Sequence, residues 1–186
     1  MNQPSETFIA AIFALFERWG GDHYGEAVTQ LNHALQTAHN ARSAGEPDAI
    51  VAAALLHDIG HLLQEEGEDA AERGIDTMHQ DLGAAWLAQG FGPEMTEPVR
   101  LHVEAKRYLA TRTPGYVGGL SAASLESLQL QGGPMTGAEA DVFATHPAFD
   151  AAVRLRLYDD QGKVDGAQIA PLSAYREQLL ALAFRN

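Results

Sequence analysis

The residues best suited to chemistry are His57 and Asp58, which end the apolar run Ala54-Leu55-Leu56, with His61 four residues after His57. Imidazole and carboxylate on a buried face are costly unless paired or metal-bound. In one continuous helix His57 and His61 share a face, and Asp58 lies about 100° round from His57. His57 and Asp58 can then ligate one metal ion, with the second oxygen of Asp58 left for another. An isolated His-Asp dipeptide is more often a core histidine beside its own neighbour, but the rest of the chain extends this one. His33, His79 and His102 each fall on a helix or at its start beside apolar residues, and Asp159 ends a later helix. Four imidazoles and two carboxylates suit iron, manganese, zinc or nickel. Two ions about 3.5–4 Å apart with a carboxylate between them would use all six. His39 and His146 read as surface or capping residues.

The elements that must position this set are helical throughout. Ser5 is expected to cap a first helix carrying Phe8, Ile9, Ile12, Phe13 and Phe16, which Gly20-Gly21 ends. A second helix is expected over residues 26–39, with His33 beside its apolar stripe. Gly45-Glu46-Pro47 separates it from a third, Asp48 to about Leu63, apolar nearly all round and therefore central. Residues 64–75 are acidic and aperiodic, a solvated loop. His79 opens the next helix, Thr96-Glu97-Pro98 the one with His102 and Lys106, and Ser121 the one ending near Leu130. Thr136-Gly137-Ala138-Glu139 forms a capping box. Pro147 begins the helix that reaches Asp159, and a final amphipathic helix, about 172–184, covers the core. No period-2 alternation, internal repeat or long linker interrupts the pattern. The expectation is an all-α protein, one domain over 1–186 with its metal-binding core at about 23–165.

Composition narrows the function classes. A chain of 186 residues, 46% hydrophobic, is long enough to bury a core without staples. It has no cysteine, which excludes disulfides, thiolate metal sites and cysteine nucleophiles. The first residues lack the basic segment of a signal peptide, and no apolar run approaches the ~18 residues of a membrane span. A soluble cytoplasmic protein is expected, without a membrane partner. The formal net charge of −13 repels nucleic acid. A small anion remains possible, because a metal pair and one lysine can invert the local potential.

The order His…His-Asp…His…His…Asp resembles that of the HD-domain superfamily. Three further blocks resemble the PhnZ-type HD-domain oxygenases, relatives of myo-inositol oxygenase: Gln30-Leu31-Asn32-His33-Ala34-Leu35-Gln36, His102-Val103-Glu104-Ala105-Lys106-Arg107-Tyr108-Leu109 and Gln131-Gly132-Gly133-Pro134-Met135-Thr136. The resemblance implies a single HD-domain helical bundle with a mixed-valent Fe(II)/Fe(III) pair. His33, His57, Asp58 and Asp159 would hold one iron, and Asp58, His79 and His102 the other. It further implies that O2 is used to cleave the carbon–phosphorus bond of 2-amino-1-hydroxyethylphosphonate, giving phosphate and glycine. An N-methylated or trimethylammonio analogue would give the N-methylated glycine, up to glycine betaine.

By the same resemblance Lys106, Ser124, Ser127 and Gln131 would bind the phosphonate, His61 would touch the substrate, and Glu26 would receive its amine. His61 and Lys106 are the candidate catalytic residues. The family has a gating tyrosine ligand three residues before the Glu26 position; here that position is His23, with Tyr24 next to it. Either residue could serve, or the gate could be absent. Two other functions share parts of the pattern: an HD phosphohydrolase acting on a nucleotide or other phosphate ester through a metal-activated water, and a metal-bearing regulatory module. The partner expected is a small aminophosphonate, bound by a monomer or small homo-oligomer.

Overall fold

The computed structural model describes residues 3–23, 26–63 and 73–184, without the side chains of residues 3 and 4. The described residues contain ten α-helices and no strand: α1 (Gln3–Trp19), α2 (Gln30–Ser43), α3 (Asp48–Leu56), α4 (Ile59–Leu62), α5 (His79–Leu87), α6 (Pro93–Arg112), α7 (Ala122–Leu130), α8 (Gly137–Phe143), α9 (Phe149–Gln161) and α10 (Arg176–Leu182). Tyr24 and residues 64–72, most of the expected acidic loop, lie outside the described residues.

Helix α3 is central because every residue from Ile50 to Leu56 is buried. It packs against α2, α6, α9 and α10, and α6 packs in turn on α5 and α9. Ile9, Ile12, Leu55, Leu56, Ile59, Leu87, Leu155 and Leu179 meet in the main core. Burying each such side chain contributes about 1.5–3 kcal/mol. A smaller cluster of Leu101, Ala105, Met135, Ala140, Phe143 and Ala152 fastens α8 to α6 and α9. The metal-ligand candidates thus sit on four helices and two helix ends that share the same packed interior.

Local signals placed several boundaries. Ser121 Oγ accepts from Ser124 N at the start of α7, and both bonds of the Thr136/Glu139 capping box are present at α8. Elsewhere tertiary context prevails. Ser5 lies inside α1 and donates to Phe184 O at 2.6 Å, fixing the two ends of the fold together instead of capping. Helix α2 begins at Gln30, since Thr29 accepts from Asn32 N, and Glu26 stays in the preceding loop. Helix α6 begins at Pro93, where a missing N–H costs nothing, and it encloses Pro98 in its second turn. Helix α9 starts at Phe149, two residues after Pro147, and the final helix opens with a 3-10 turn, Leu172–Tyr175.

The most consequential difference is at the central motif. The expected helix from Asp48 to Leu63 is broken at His57-Asp58, with Asp58 at φ −99, ψ 9. In an unbroken helix the two side chains would stand about 100° apart; with the break both reach one centre. Immediately beyond it, α4 passes so close to α5 that a Cβ on Gly60 would lie 1.9 Å from His79 O. Only glycine admits that approach, which delivers His79 to the same centre.

Candidate metal centre

Three of the four histidines are fixed from behind. Nδ1 of His57 lies 2.9 Å from Ala54 O, that of His102 2.7 Å from Val99 O, and that of His33 2.9 Å from Gly162 O. A carbonyl only accepts, so each Nδ1 carries the proton and each ring is turned with Nε2 forward, the arrangement found behind metal-bound imidazoles. Gly162 is required here, because a Cβ would stand 2.5 Å from Thr37 Oγ1 and 3.2 Å from His33 Nδ1.

In front, the Nε2 atoms meet the carboxylates. Asp58 Oδ2 is 3.6 Å from His33 Nε2 and 3.4 Å from His57 Nε2. Its other oxygen, Oδ1, is 3.3 Å from His79 Nε2 and 3.5 Å from His102 Nε2. Asp159 closes the first group, 3.2 Å from His33 Nε2 and 3.8 Å from His57 Nε2. Within each histidine pair the Nε2 atoms are 3.2 Å apart. Donor atoms about 2.1 Å from one ion stand roughly 3–3.5 Å from each other, so this donor set fits two ions that share Asp58. His61 stacks on His79 with ring centroids 4.0 Å apart, and its ring reaches within 4.8 Å of the donor atoms of Asp58 and His79.

The electrostatics follow from burial. Loss of solvent pushes His57 and His61 down to about 4 and His79 to about 3, so all three are neutral at pH 7. Burial opposes the charged form of His33 too, but the adjacent Asp159 and Asp58 outweigh it and raise His33. Asp58 and Asp159 are held well below the ordinary carboxylate range against their own desolvation, Asp58 by the histidines around it and Asp159 chiefly by Arg156. Arg156 Nη1 donates to Asp159 at 2.7 Å, and its Nη2 pairs with Asp160.

A cavity of about 260 Å³ opens in front of these ligands. Its far wall carries the residues expected to meet an anion: Lys106, only 2% exposed, donates to Ser127 Oγ at 2.7 Å, and Ser124 lies one turn earlier on α7. Gln131 Oε1 is buried on the same wall without a hydrogen-bond partner among the described residues. Burial, reinforced by Arg156, lowers Lys106 to about 7. Glu26 also lines the cavity but is engaged already, 2.5 Å from Lys163 Nζ. His23 is exposed, with Nδ1 3.3 Å from Glu26 O, and it is not among the cavity-lining residues. Sequence reasoning missed Arg156 and Lys163. Arg156 had a usable signal, one helical turn before Asp159; Lys163 had none, since only the long-range fold brings it to the cavity.

Comparison with known proteins agrees with this geometry. The HD domain model matches residues 31–139. The chain is 43% identical over 172 residues to the hydroxymethylphosphonate dioxygenase of Gimesia maris, covering 92% of this chain and 86% of that one. It is 42% identical over 153 residues to the [1-hydroxy-2-(trimethylamino)ethyl]phosphonate dioxygenase (glycine-betaine-forming) of Leisingera caerulea, covering 82% and 78%. Protein L432 of Acanthamoeba polyphaga mimivirus is 37% identical, with 92% and 80% covered. The chain belongs to the HD-domain family and is a relative of its phosphonate dioxygenases.

Proposed function

We propose that the protein is a diiron oxygenase that cleaves the carbon–phosphorus bond of a small α-hydroxyphosphonate. With O2 as the oxidant the reaction balances without another reductant: R–CH(OH)–PO3H2 and O2 give R–COOH and phosphoric acid. His33, His57, Asp58 and Asp159 would hold one iron, and Asp58, His79 and His102 the other. The iron pair supplies the electron-transfer and oxygen chemistry when bound.

The protein's own residues do the rest. Lys106, steered by Ser127, presents its ammonium to the phosphonate, and Ser124 and Gln131 offer further polar contacts on the same wall. His61, held flat on His79 and neutral, lines the approach to the substrate carbon without adding charge. Burial of the four histidines and Asp159 keeps most bulk water from the reacting carbon. The polyanion-repelling charge of the chain fits a small-molecule enzyme of the cytoplasm, working as a monomer or small homo-oligomer, rather than a nucleic-acid partner.

The observation that carries this reading is Asp58 standing between two histidine pairs beneath a buried lysine, in a chain 43% and 42% identical to two hydroxyphosphonate dioxygenases. The test is phosphate release by iron-loaded protein from hydroxymethylphosphonate, 2-amino-1-hydroxyethylphosphonate and its trimethylammonio analogue, with and without O2. Oxygen-dependent phosphate from any of them is expected. Silence with all three, together with oxygen-independent hydrolysis of nucleotides, would replace the reading with a phosphohydrolase.

A further inference from the structure

Beside Lys106 the cavity wall is built as an ammonium cradle, and the protein fills it itself. Lys163 Nζ donates to three oxygens: Glu26 Oε1 at 2.5 Å, Ser124 Oγ at 2.8 Å and Ser121 Oγ at 3.3 Å. An ammonium has three N–H donors, so Lys163 is fully satisfied. Ser121 also donates to Glu26 Oε1 at 2.7 Å, which ties the cradle together.

Lys163 is not a loose surface lysine. The carbonyl before it, Gly162 O, holds His33 Nδ1, and Val164 after it is bound at both N–H and C=O by the side-chain amide of Gln36, each at 2.9 Å. The backbone on either side of Lys163 is therefore fixed to α2, and Glu26 and Lys163 are each only 16% exposed in their side chains.

A substrate carrying its own cationic nitrogen would have to displace Lys163 from this cradle, or bring a second positive charge against it in a partly buried space. Either event costs binding, which is how a site rejects a near relative of its ligand. Resting on the hydroxyphosphonate reading above, we infer that Lys163 is a specificity-determining residue that occupies the place of a substrate ammonium, so that the site takes α-hydroxyphosphonates with no cationic amine. Glu26, which would otherwise receive an amine, instead joins Ser121 and Ser124 in orienting Lys163, whose charge adds to those of Lys106 and Arg156 around the anion.

Two measurements on the full-length protein test this. The first is kcat/KM for phosphate release from hydroxymethylphosphonate and from 2-amino-1-hydroxyethylphosphonate. The wild type is expected to favour the amine-free substrate by about tenfold or more. Lys163→Met is expected to move that ratio toward the amine by about tenfold, mainly through KM, and Lys163→Arg to keep the wild-type preference. The second is calorimetric binding of ethylphosphonate and 2-aminoethylphosphonate, which requires no turnover. Wild type should bind ethylphosphonate more tightly, and Lys163→Met should reverse or erase the difference. Equal or better use of the amine substrate by the wild type, or a ratio unmoved in Lys163→Met, overturns the inference while leaving the oxygenase reading intact. Absence of phosphate with the binding preference preserved removes the oxygenase reading and leaves the role of Lys163 standing.

Discussion

Asp58 presents its two carboxylate oxygens to different histidine pairs, Oδ2 to His33 and His57 and Oδ1 to His79 and His102, at 3.3–3.6 Å. No other carboxylate among the described residues makes such contacts to both pairs. Asp58→Ala is therefore expected to lose both metals, because both positions share this carboxylate as a ligand. Elemental analysis of purified protein reads this directly, and two irons per chain in the variant would exclude a bridging role.

Lys106 should couple binding to pH. With its ammonium lowered to about 7 by burial, it is charged below that point and increasingly neutral above it. KM for the phosphonate should rise as pH climbs through about 7, while Lys106→Met should raise KM by about 10–100-fold and flatten the profile. In the ligand-free protein the sign for stability is opposite. The unfolded lysine still holds its proton between about 7 and 10.5 while the folded one does not, so stability from this group rises with pH over that window. Urea titrations of wild type and Lys106→Met across pH 7–10 should differ in slope, and parallel slopes would argue against the lowered value.

Arg156 is buried between two acids, 2.7 Å from Asp159 and paired with Asp160, and its Nε donates to Tyr116 Oη at 3.1 Å. Arg156→Met leaves those carboxylates buried without their cation and should cost about 3–5 kcal/mol in denaturant unfolding of metal-free protein. A cost below about 1 kcal/mol, the range of an exposed pair, would mean that solvent reaches the acids.

Gly60→Ala inserts a methyl where His79 O already stands at 1.9 Å. Overpacking of this kind costs about 1–3 kcal/mol, and here it also pushes α5 away from Asp58. Iron should be lost from the His79–His102 side more than from the His33–His57 side, which Mössbauer spectra of iron-57-loaded protein would resolve.

The features legible in the sequence were those settled over a few residues. Ser121 and Thr136 announce their helices because a side-chain oxygen three positions before a free N–H acts locally. The candidate ligands were legible because His33, His57, His79 and His102 each stand beside apolar residues that must turn toward the interior. The break at His57-Asp58 was not, since the run from Ile50 to Leu62 reads as one helix and only the meeting with α5 and α6 gives the two side chains a common target. Lys163 and the paired state of Glu26 were hidden for a related reason. They lie 137 positions apart, and nothing within either neighbourhood refers to the other.

The unequal electrostatics of the imidazoles bear on how the centre is loaded. His79, near 3, and His57, near 4, carry no extra proton at neutral pH, so an ion arriving at them displaces nothing. His33, raised by Asp159 and Asp58, holds a second proton more readily than either. An ion held at His33 would therefore compete with a proton more than one held at His79. Acid should loosen an ion from His33 before His79, which iron content measured over a descending pH series would show.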